Sequence, residues 1–196
     1  MRKSLLSWLF VVVIAGCSSA PDTATKTYLL PQAELKETVL RKEQPILLIQ
    51  PVKVAGYLAG EGIAYQTSPS EIVIAQNNLW AESLSQQVTE RLVNQLRTPK
   101  ANYWPMYPNA SLNSAKMPRL QLNISRFDGD YQGNATVAGD WVLVDGNGDI
   151  GQSQTFYAQS PLEQEGYQAL VNALSETLDK VIGTLGFDLS KAKIGQ

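Results

Sequence analysis

The sequence predicts an α+β fold: a single domain in which two amphipathic helices pack on one face of a mixed or antiparallel sheet. Two observations carry this prediction. Apolar residues recur every four positions from 80 to 96, and with a 3.6-residue period from 167 to 185, as on the buried side of a helix. Between these stretches, three runs alternate apolar and polar residues, as half-buried strands do. We find no internal repeat of the kind that indicates a solenoid.

The first sixteen residues are typical of a bacterial lipoprotein export signal. Two basic residues precede an apolar run from 5 to 14, which is shorter than the about 20 residues that a membrane-spanning helix needs. Small residues then precede Cys17, and we expect residues 1–16 to be cleaved off there. By resemblance to such lipoproteins, the Cys17 thiol would carry a diacylglycerol and the freed amine a further acyl chain, typically palmitate. The alternative is an ordinary signal peptide with a chance cysteine.

Residues 17–27 are predicted to form a flexible tether that starts at the lipidated cysteine. Residues 18–27 are small and polar, so that burying them would gain little free energy. Ten residues reach about 33 Å when fully extended. The remaining residues, 28–196, are predicted to form one periplasmic domain, which could stand off the membrane while it stays bound to it.

The segments before the first helix are predicted to be short strands separated by loops. Residues 28–30 are apolar and end at Pro31, which indicates an edge strand. Residues 32–44 are charged and are predicted to form a connecting loop or a weak helix. The run 46–54 begins as a strand that is apolar on both faces, and Pro51 marks its edge, a bulge or its end. Residues 55–70 contain several Gly and Ser and are predicted to be a loop, and 72–74 a short strand.

The first helix is predicted to begin at Asn77 and Asn78, whose side chains can cap a first turn. A four-residue ridge follows, and Thr98-Pro99 stops the helix. The ridge consists of Trp80, Leu84, Val88, Leu92 and Leu96. We interpret the ridge as core, with the seat of a lipid tail as the alternative.

Three antiparallel strands and the second helix are predicted after an irregular segment from 101 to 118, which holds a short strand near its start. The strands begin near residues 120, 135 and 150, and the Gly-rich turn at 145–148 indicates a hairpin. The last helix is predicted to start near Glu165 and to end at Gly186, because glycine favours a C-terminal cap. Residues 160–163 resemble a capping box.

Two acidic motifs in this region are interpreted as turns. Asp145, Asn147 and Asp149 have the spacing of a calcium loop, but Ile150 and Phe156 stand where such a loop needs Gly and Glu. A hairpin turn is therefore the preferred interpretation. Asp128 and Asp130 could in principle form an acid–base pair, but a solvated turn is predicted, because no apolar pocket is evident to separate their pKa values.

The composition argues against several classes of function. Cleavage would leave 14 basic and 18 acidic residues, a net charge of −4, which makes a poor ligand for nucleic acid. Cys17 is the only cysteine, so no internal disulfide can form. The chain has no histidine, which excludes a Ser-His-Asp triad and the common zinc sites. We therefore predict no metal, no cofactor beyond the covalent lipid and no enzymatic activity, although a carboxylate or Ser-Lys enzyme stays open.

Aromatic residues in two irregular segments are the candidates for contact with a partner protein. These residues are Tyr57, Leu58, Tyr65, Trp104 and Tyr107. Irregular segments rich in aromatic residues are common at interfaces. The alternative, which the sequence leaves equally open, is that these side chains turn back into the core. The glycines near residue 60 match no phosphate-binding motif.

Several motifs resemble those of the PqiC (YmbA) lipoprotein family. Residues 51–67 read PVKVAGYLAGEGIAYQT, and 73–87 read VIAQNNLWAESLSQQ. Residues 127–131, FDGDY, together with 139–141, GDW, resemble a later pair of family motifs. The lipoprotein signal, the three-strand meander and the closing helix occur in the same order, so the likeness spans nearly the whole chain.

This resemblance implies a non-enzymatic auxiliary lipoprotein of an ABC-type or MCE transport system. It implies an outer-membrane anchor, a body that faces the periplasm, and a role in intermembrane lipid transport and envelope integrity. The implied partners are a PqiB-like MCE-domain protein and a PqiA-like inner-membrane protein. Ser18, after the lipidated cysteine, fits outer-membrane sorting. The matched positions divide between fold and partner contact: Tyr57, Leu58, Tyr65, Asn78, Trp80 and Leu84.

Two other functions and one assembly state stay open on the sequence. The body could be a lipid-binding carrier, which would hold phospholipid. It could instead be a lipoprotein activator of a periplasmic synthase, whose loss would alter the cell wall rather than lipid distribution. A homo-oligomer around a tube-like partner is compatible with the sequence.

Overall fold

The computed structural model describes residues 24–32, 37–42, 44–99, 101–110 and 116–192 of the 196-residue chain. The predicted signal peptide and Cys17 lie outside these residues. Within the described residues, nine strands form one mixed sheet, and two α-helices join it in a common hydrophobic core, which confirms the predicted fold class. The elements are β1 Lys26–Tyr28, β2 Ile46–Ile49, β3 Lys53–Val54, a 3-10 turn Gly56–Leu58, β4 Gly62–Ser68, β5 Glu71–Trp80, α1 Leu84–Leu96, β6 Trp104–Met106, β7 Arg119–Asp130, β8 Asn134–Val144, β9 Ile150–Pro161 and α2 Tyr167–Lys191.

Strand β7 organises the sheet. On one edge it pairs antiparallel with β8, which pairs antiparallel with β9 to complete the predicted meander. On the other edge, β2, β3 and β4 run parallel to β7 one after another, so the chain from 46 to 66 follows the length of this strand. Strand β6 lies outside β2, and β5 and then β1 lie outside β4.

The break at Pro51 falls between β2 and β3, as predicted. Helix α1 satisfies the backbone groups that the break leaves without a strand partner. Val52 N donates to Thr89 Oγ1 at 2.9 Å, and Ser85 Oγ donates to the Val52 carbonyl at 2.5 Å. The interrupted strand is therefore fixed to the helix by side chains.

The prediction of a loop for residues 55–70 is wrong for Gly62–Ser68, which form a strand. After the 3-10 turn, these residues form β4, in which Ile63 and Ala64 are buried. Of the glycines that suggested a loop, Gly62 serves close packing instead, whereas a Cβ on Gly56 or Gly60 would meet nothing within 4 Å. A Cβ on Gly62 would lie 2.5 Å from the Ala75 carbonyl oxygen, so a side chain here would separate β4 from β5.

The predicted start of the first helix at Asn77 and Asn78 is also wrong, because both residues lie in β5. Trp80 ends that strand, and its ring meets Phe127 edge-on with centroids 6.1 Å apart. The helix begins at Leu84, after Ser83, whose hydroxyl accepts from Gln86 N. Trp80 therefore continues the four-residue spacing of the helix by coincidence. All five residues of the ridge, Trp80 included, are nevertheless buried in the core, as predicted.

Helix α2 extends past Gly186, where it was predicted to end, and reaches Lys191. Leu189 in this added turn is fully buried, which explains why the helix continues. The capping box predicted at 160–163 does not form, because Ser160 and Pro161 end β9. The helix instead starts after Gly166, whose φ of 101° is readily accessible only to glycine.

The motif at Asp145 forms the predicted hairpin turn between β8 and β9. Asp145 Oδ1 accepts from the backbone N of Asn147 at 2.8 Å and from that of Asp149 at 3.0 Å. The carboxylate oxygen therefore closes the turn by binding backbone amides. Among the residues that the structure describes, no group of three or more His, Cys, Asp or Glu is arranged to hold a metal ion.

Candidate functional site

A buried polar network joins the 3-10 turn to β4 and β7. A bulge between Ile124 and Arg126 shifts the alternation of β7, so that Phe127 faces the core and Asp128 the opposite side. Asp128 is nevertheless fully buried, because the side chains of the network cover it. Arg126 Nη2 and Nε lie 2.6 and 3.2 Å from its two carboxylate oxygens.

Two further side chains complete this network. Tyr57 Oη donates to Asp128 Oδ2 at 3.3 Å and lies 3.1 Å from the Ser125 carbonyl oxygen. Arg126 Nη2 also donates to Gln66 Oε1 at 2.8 Å. The Tyr57 and Asp128 that resemble two separate family motifs are therefore in direct contact. We call Tyr57, Gln66, Arg126 and Asp128 the clasp.

The electrostatics of the clasp argue for a structural role. Burial and the Asp128 carboxylate raise the pKa of Tyr57 to about 12. The hydrogen bond from Arg126 to Asp128 raises the pKa of the guanidinium. Neither group exchanges a proton near neutral pH, which general acid–base catalysis requires. The clasp therefore holds the 3-10 turn, β4 and β7 together.

The clasp corrects the prediction of a solvated turn at residues 128–130. Asp128 lies within β7, and Asp130 ends that strand and is also buried. Asp130 Oδ1 accepts from the backbone N of Gln132 and of Asn134, each at 2.9 Å, and so shapes the turn to β8. Both carboxylates are bound to other partners, which leaves the acid–base pair without support.

An open cavity of about 750 Å³ lies beside the turn between β7 and β8 and the start of α2. Its volume falls in the range of ligand-binding clefts. We call it the tyrosine cavity, and the residues that give it its character are Tyr65, Tyr131, Leu162, Glu163, Glu165 and Tyr167. Rings with hydroxyl groups and two carboxylates give it a surface that suits a polar or aromatic partner segment.

Two tyrosines of this cavity, Tyr65 and Tyr167, are close to each other. Burial raises the pKa of Tyr167, and the neighbouring Tyr28 and Tyr65 raise it further. The ring of Tyr65 passes over Gly129, where a Cβ would lie 2.9 Å from Tyr65 Cδ2 and 2.8 Å from Leu170 Cδ1. Gly129 therefore lets Tyr65 pack against both the sheet and α2.

Trp104 and Tyr107 lie at the opposite end of the sheet. Trp104 begins β6, and the Arg97 guanidinium stands 5.4 Å above its ring as a cation–π contact. Tyr107 is 39% exposed, and burial of the remainder raises the pKa of its hydroxyl, as does the Glu90 carboxylate. These two side chains form a separate aromatic surface.

The five predicted partner-contact residues therefore do not form one patch. Tyr65 pairs with Gly129 near the end of β7, whereas β6 pairs with β2, which pairs with the start of β7. About ten residues of strand, or about 33 Å, separate the two ends. Leu58 is only 4% exposed, so its side chain belongs to the core and not to a surface. Tyr57 is half-buried in the clasp.

Sequence reasoning did not identify Tyr131 and Tyr167 as site residues. Each stands beside a glycine or aspartate at the border of a strand or helix. That local pattern does not show that either tyrosine lies near Tyr65, which is more than sixty residues earlier in the chain. Within the described residues, no helix is both long and apolar enough to cross a membrane.

Known proteins resemble the chain over most of its length. The family model of the ABC-type transport auxiliary lipoprotein component matches residues 28–185. The chain is 33% identical over 172 residues to the intermembrane transport lipoprotein PqiC of Escherichia coli K12, which covers 86% of this chain and 89% of PqiC. PqiC of Shigella flexneri matches with the same figures.

Solved structures share the fold. The crystal structure of an uncharacterized protein superposes with a TM-score of 0.73 at 27% identity and covers 85% of this chain and 99% of that one. A protein from Xanthomonas campestris superposes with a TM-score of 0.65 at 18% identity, over 84% and 95% of the two chains. The sequence matches confirm the resemblance seen in the motifs, and the chain belongs to the PqiC family of ABC-type transport auxiliary lipoproteins.

Proposed function

We propose that this chain is an outer-membrane-anchored periplasmic lipoprotein of a PqiABC-like MCE system, and that it takes part in intermembrane lipid transport and envelope integrity. Its similarity to PqiC, an intermembrane transport lipoprotein, supports the transport role. The anchor is the lipid on Cys17. The body acts by binding a PqiB-like MCE-domain protein, and a PqiA-like inner-membrane protein completes the system.

The tyrosine cavity is the observation that supports docking most directly. It is concave and rich in aromatic rings, and Tyr131 at its edge is 48% exposed. The buried carboxylates of Asp128 and Asp130 accept hydrogen bonds within the clasp and within the turn after β7. Because these contacts already occupy both carboxylates, the binding of a partner is the activity that the site favours. We infer that a segment of the MCE-domain partner enters this cavity.

Co-purification with the MCE-domain partner tests the docking site. Tyr131→Ala should lower recovery of the partner severalfold, because a few large aromatic side chains contribute much of the binding free energy of an interface. Tyr157→Ala is the matched control, since Tyr157 is 62% exposed on β9, outside the cavity. Equal recovery with both variants, each with an unchanged unfolding midpoint, would place docking elsewhere.

Membrane fractionation tests the anchor. Cys17→Ala should leave the body folded but release it from the membrane, because stable anchoring requires two or more acyl chains. Ser18→Asp keeps the acylated cysteine and should move the protein to the inner membrane. Detection of the unaltered protein in the inner membrane, or of Cys17→Ala in the outer membrane, would contradict the proposed localisation.

The volume of the tyrosine cavity also makes a lipid-binding carrier a second candidate. Native mass spectrometry of residues 18–196 distinguishes the two functions. A docking module should give the mass of the bare chain, whereas a carrier should retain phospholipid. Loss of such phospholipid in Tyr131→Ala, but not in Tyr157→Ala, would assign it to the cavity.

A further inference from the structure

Strand β9 forms one edge of the sheet and lacks the features that usually protect such an edge. Within the described residues, β9 pairs with β8 alone. Its 12 residues, Ile150–Pro161, include no charged side chain, and the single proline is the last of them. Natural edge strands are commonly short, charged or interrupted by proline, because an exposed edge pairs readily with another chain. The length and composition of β9 therefore leave this edge open to the addition of a strand.

The register of β8 with β9 identifies the backbone groups that point away from β8. Leu162 N donates to the Gly133 carbonyl oxygen at 2.8 Å, in the register that joins the two strands. Such bonds recur at every second residue of an antiparallel ladder, so the even-numbered residues from 152 to 160 bond towards β8. The N–H and C=O groups of Thr155 and Tyr157 therefore point to the open edge. Pro161, which lacks an N–H group, is also odd-numbered and costs no ladder bond.

A groove of about 280 Å³ lies between this edge and helix α2. Residues 154–158 of β9 line its strand side, and a stripe of α2 lines its helix side. Val181 and Leu185 are buried at the base of this stripe, whereas Lys180 and Thr184 are exposed at its rim. Because successive strand residues point to opposite faces, a strand added to β9 would place every second side chain against α2.

The helix side of the groove carries two opposite charges without ionic partners. Lys180 Nζ donates to Ser160 Oγ at 2.8 Å, so this charge lies towards the end of β9. Asp188 lines the groove eight residues further along α2, a rise of about 12 Å. Within the part of the chain that the structure describes, neither side chain forms an ion pair. A strand covers 12 Å in about four residues, so positions i and i+4 of an added strand, which share a face, would meet the two charges.

We propose that the groove between β9 and α2 binds an extended segment of another protein, which joins the sheet as a strand antiparallel to β9. Because α2 passes Lys180 near the end of β9 and then Asp188 beside residues 154–158, such a strand meets Lys180 first. The segment therefore carries an acidic residue, an apolar residue two positions later and a basic residue after two more. A second copy of this chain does not match, because its β9 has no charge to pair with Lys180 or Asp188.

This groove is separate from the tyrosine cavity, since no residue lines both. The inference therefore does not rest on the docking site proposed above. Strand addition uses the backbone of Tyr157 and not its side chain, so Tyr157→Ala remains a control for the tyrosine cavity.

Fluorescence anisotropy of a labelled peptide, with the full-length protein in detergent, tests strand addition. The probe is TETVTKT, in which the Glu, Val and Lys side chains face α2 and the two inner threonines point their N–H groups at β9. N-methylation of both inner threonines removes these hydrogen bonds and should weaken binding about tenfold. N-methylation of the valine, whose N–H group points away from β9, is the matched control. No binding of the probe, or equal binding of the two methylated peptides, would overturn the proposal.

An exchange of charges locates the bound peptide in the groove. The unaltered protein should bind TETVTKT about fivefold more tightly than TKTVTET, because exposed ion pairs contribute modestly. Lys180→Glu/Asp188→Lys should reverse this preference with the unfolding midpoint unchanged. Lys53→Glu/Glu61→Lys, at two exposed positions outside the groove, is the control and should keep it. A preference that the first exchange leaves unaltered would contradict the groove, and release of a homo-oligomer by the probe would assign the edge to a second copy and overturn the proposal.

Discussion

At the scale of single residues, Asp128 is the position where one change should matter most. Its carboxylate is fully buried, and Arg126 supplies the opposite charge through contacts of 2.6 and 3.2 Å. Removing one partner of such a pair leaves a charge that neither water nor protein compensates. The clasp therefore matters to stability because each charge of the Arg126–Asp128 pair needs the other to offset the cost of its burial, and not because the ion pair has a large net strength.

Arg126→Met should lower the free energy of unfolding by about 2–3 kcal/mol, somewhat below the cost of breaking a wholly buried pair, because Arg126 is about a third exposed. Urea unfolding at neutral pH measures this loss. The double variant Arg126→Met/Asp128→Asn should lose less than the sum of the single variants, since it removes both charges. Arg119→Met, on the same strand but outside the clasp, is the control. Equal losses of unfolding free energy in Arg126→Met and Arg119→Met would contradict the dependence of Asp128 on Arg126.

The raised pKa of Tyr57 predicts a loss of stability in alkali. The folded state keeps the phenol proton up to a pH of about 12, whereas the unfolded chain loses it near the usual 10.0. Between these values the unfolded state binds fewer protons, so stability is complete below pH 10 and falls as the pH rises towards 12. Tyr57→Phe should make this decline shallower, as urea midpoints measured across the window would show. Part of the decline in stability should remain in Tyr57→Phe, because burial also raises the pKa values of Tyr103 and Tyr167.

At the scale of elements, the sequence correctly predicted the strands and turns that have a local pattern of their own. It failed for segments whose structure depends on contact between backbones that are distant in the sequence. The alternation in β7 and the turn at Asp145 identified the meander, because each signal is local. Asn77 and Asn78 suit a helix cap equally well in isolation, but the pairing of β5 with β4 and β1 places them in a strand. The strand character of β4 was missed because its glycine serves close contact with β5.

Close backbone contact also predicts which glycine the meander cannot lose. A Cβ on Gly139 would lie 1.9 Å from the Asn123 carbonyl oxygen, so β7 and β8 would have to separate there. Gly139→Ala should cost at least about 2 kcal/mol of stability, in the manner of overpacked cores. Gly60→Ala, where a Cβ would meet nothing within 4 Å, should change stability little. Thermal unfolding of both variants compares them, and an equally stable Gly139→Ala would show that the strands yield without cost.

At the scale of the whole molecule, topology creates the candidate site. Tyr65 was predicted, yet Tyr131 and Tyr167 join it only because β4 runs beside the end of β7, where β9 also returns to α2. Trp104 and Tyr107, which belong to the same sequence pattern, lie at the other end because β6 pairs with β2. Aromatic residues in irregular segments therefore identify candidate surfaces, but strand order decides which of them act together.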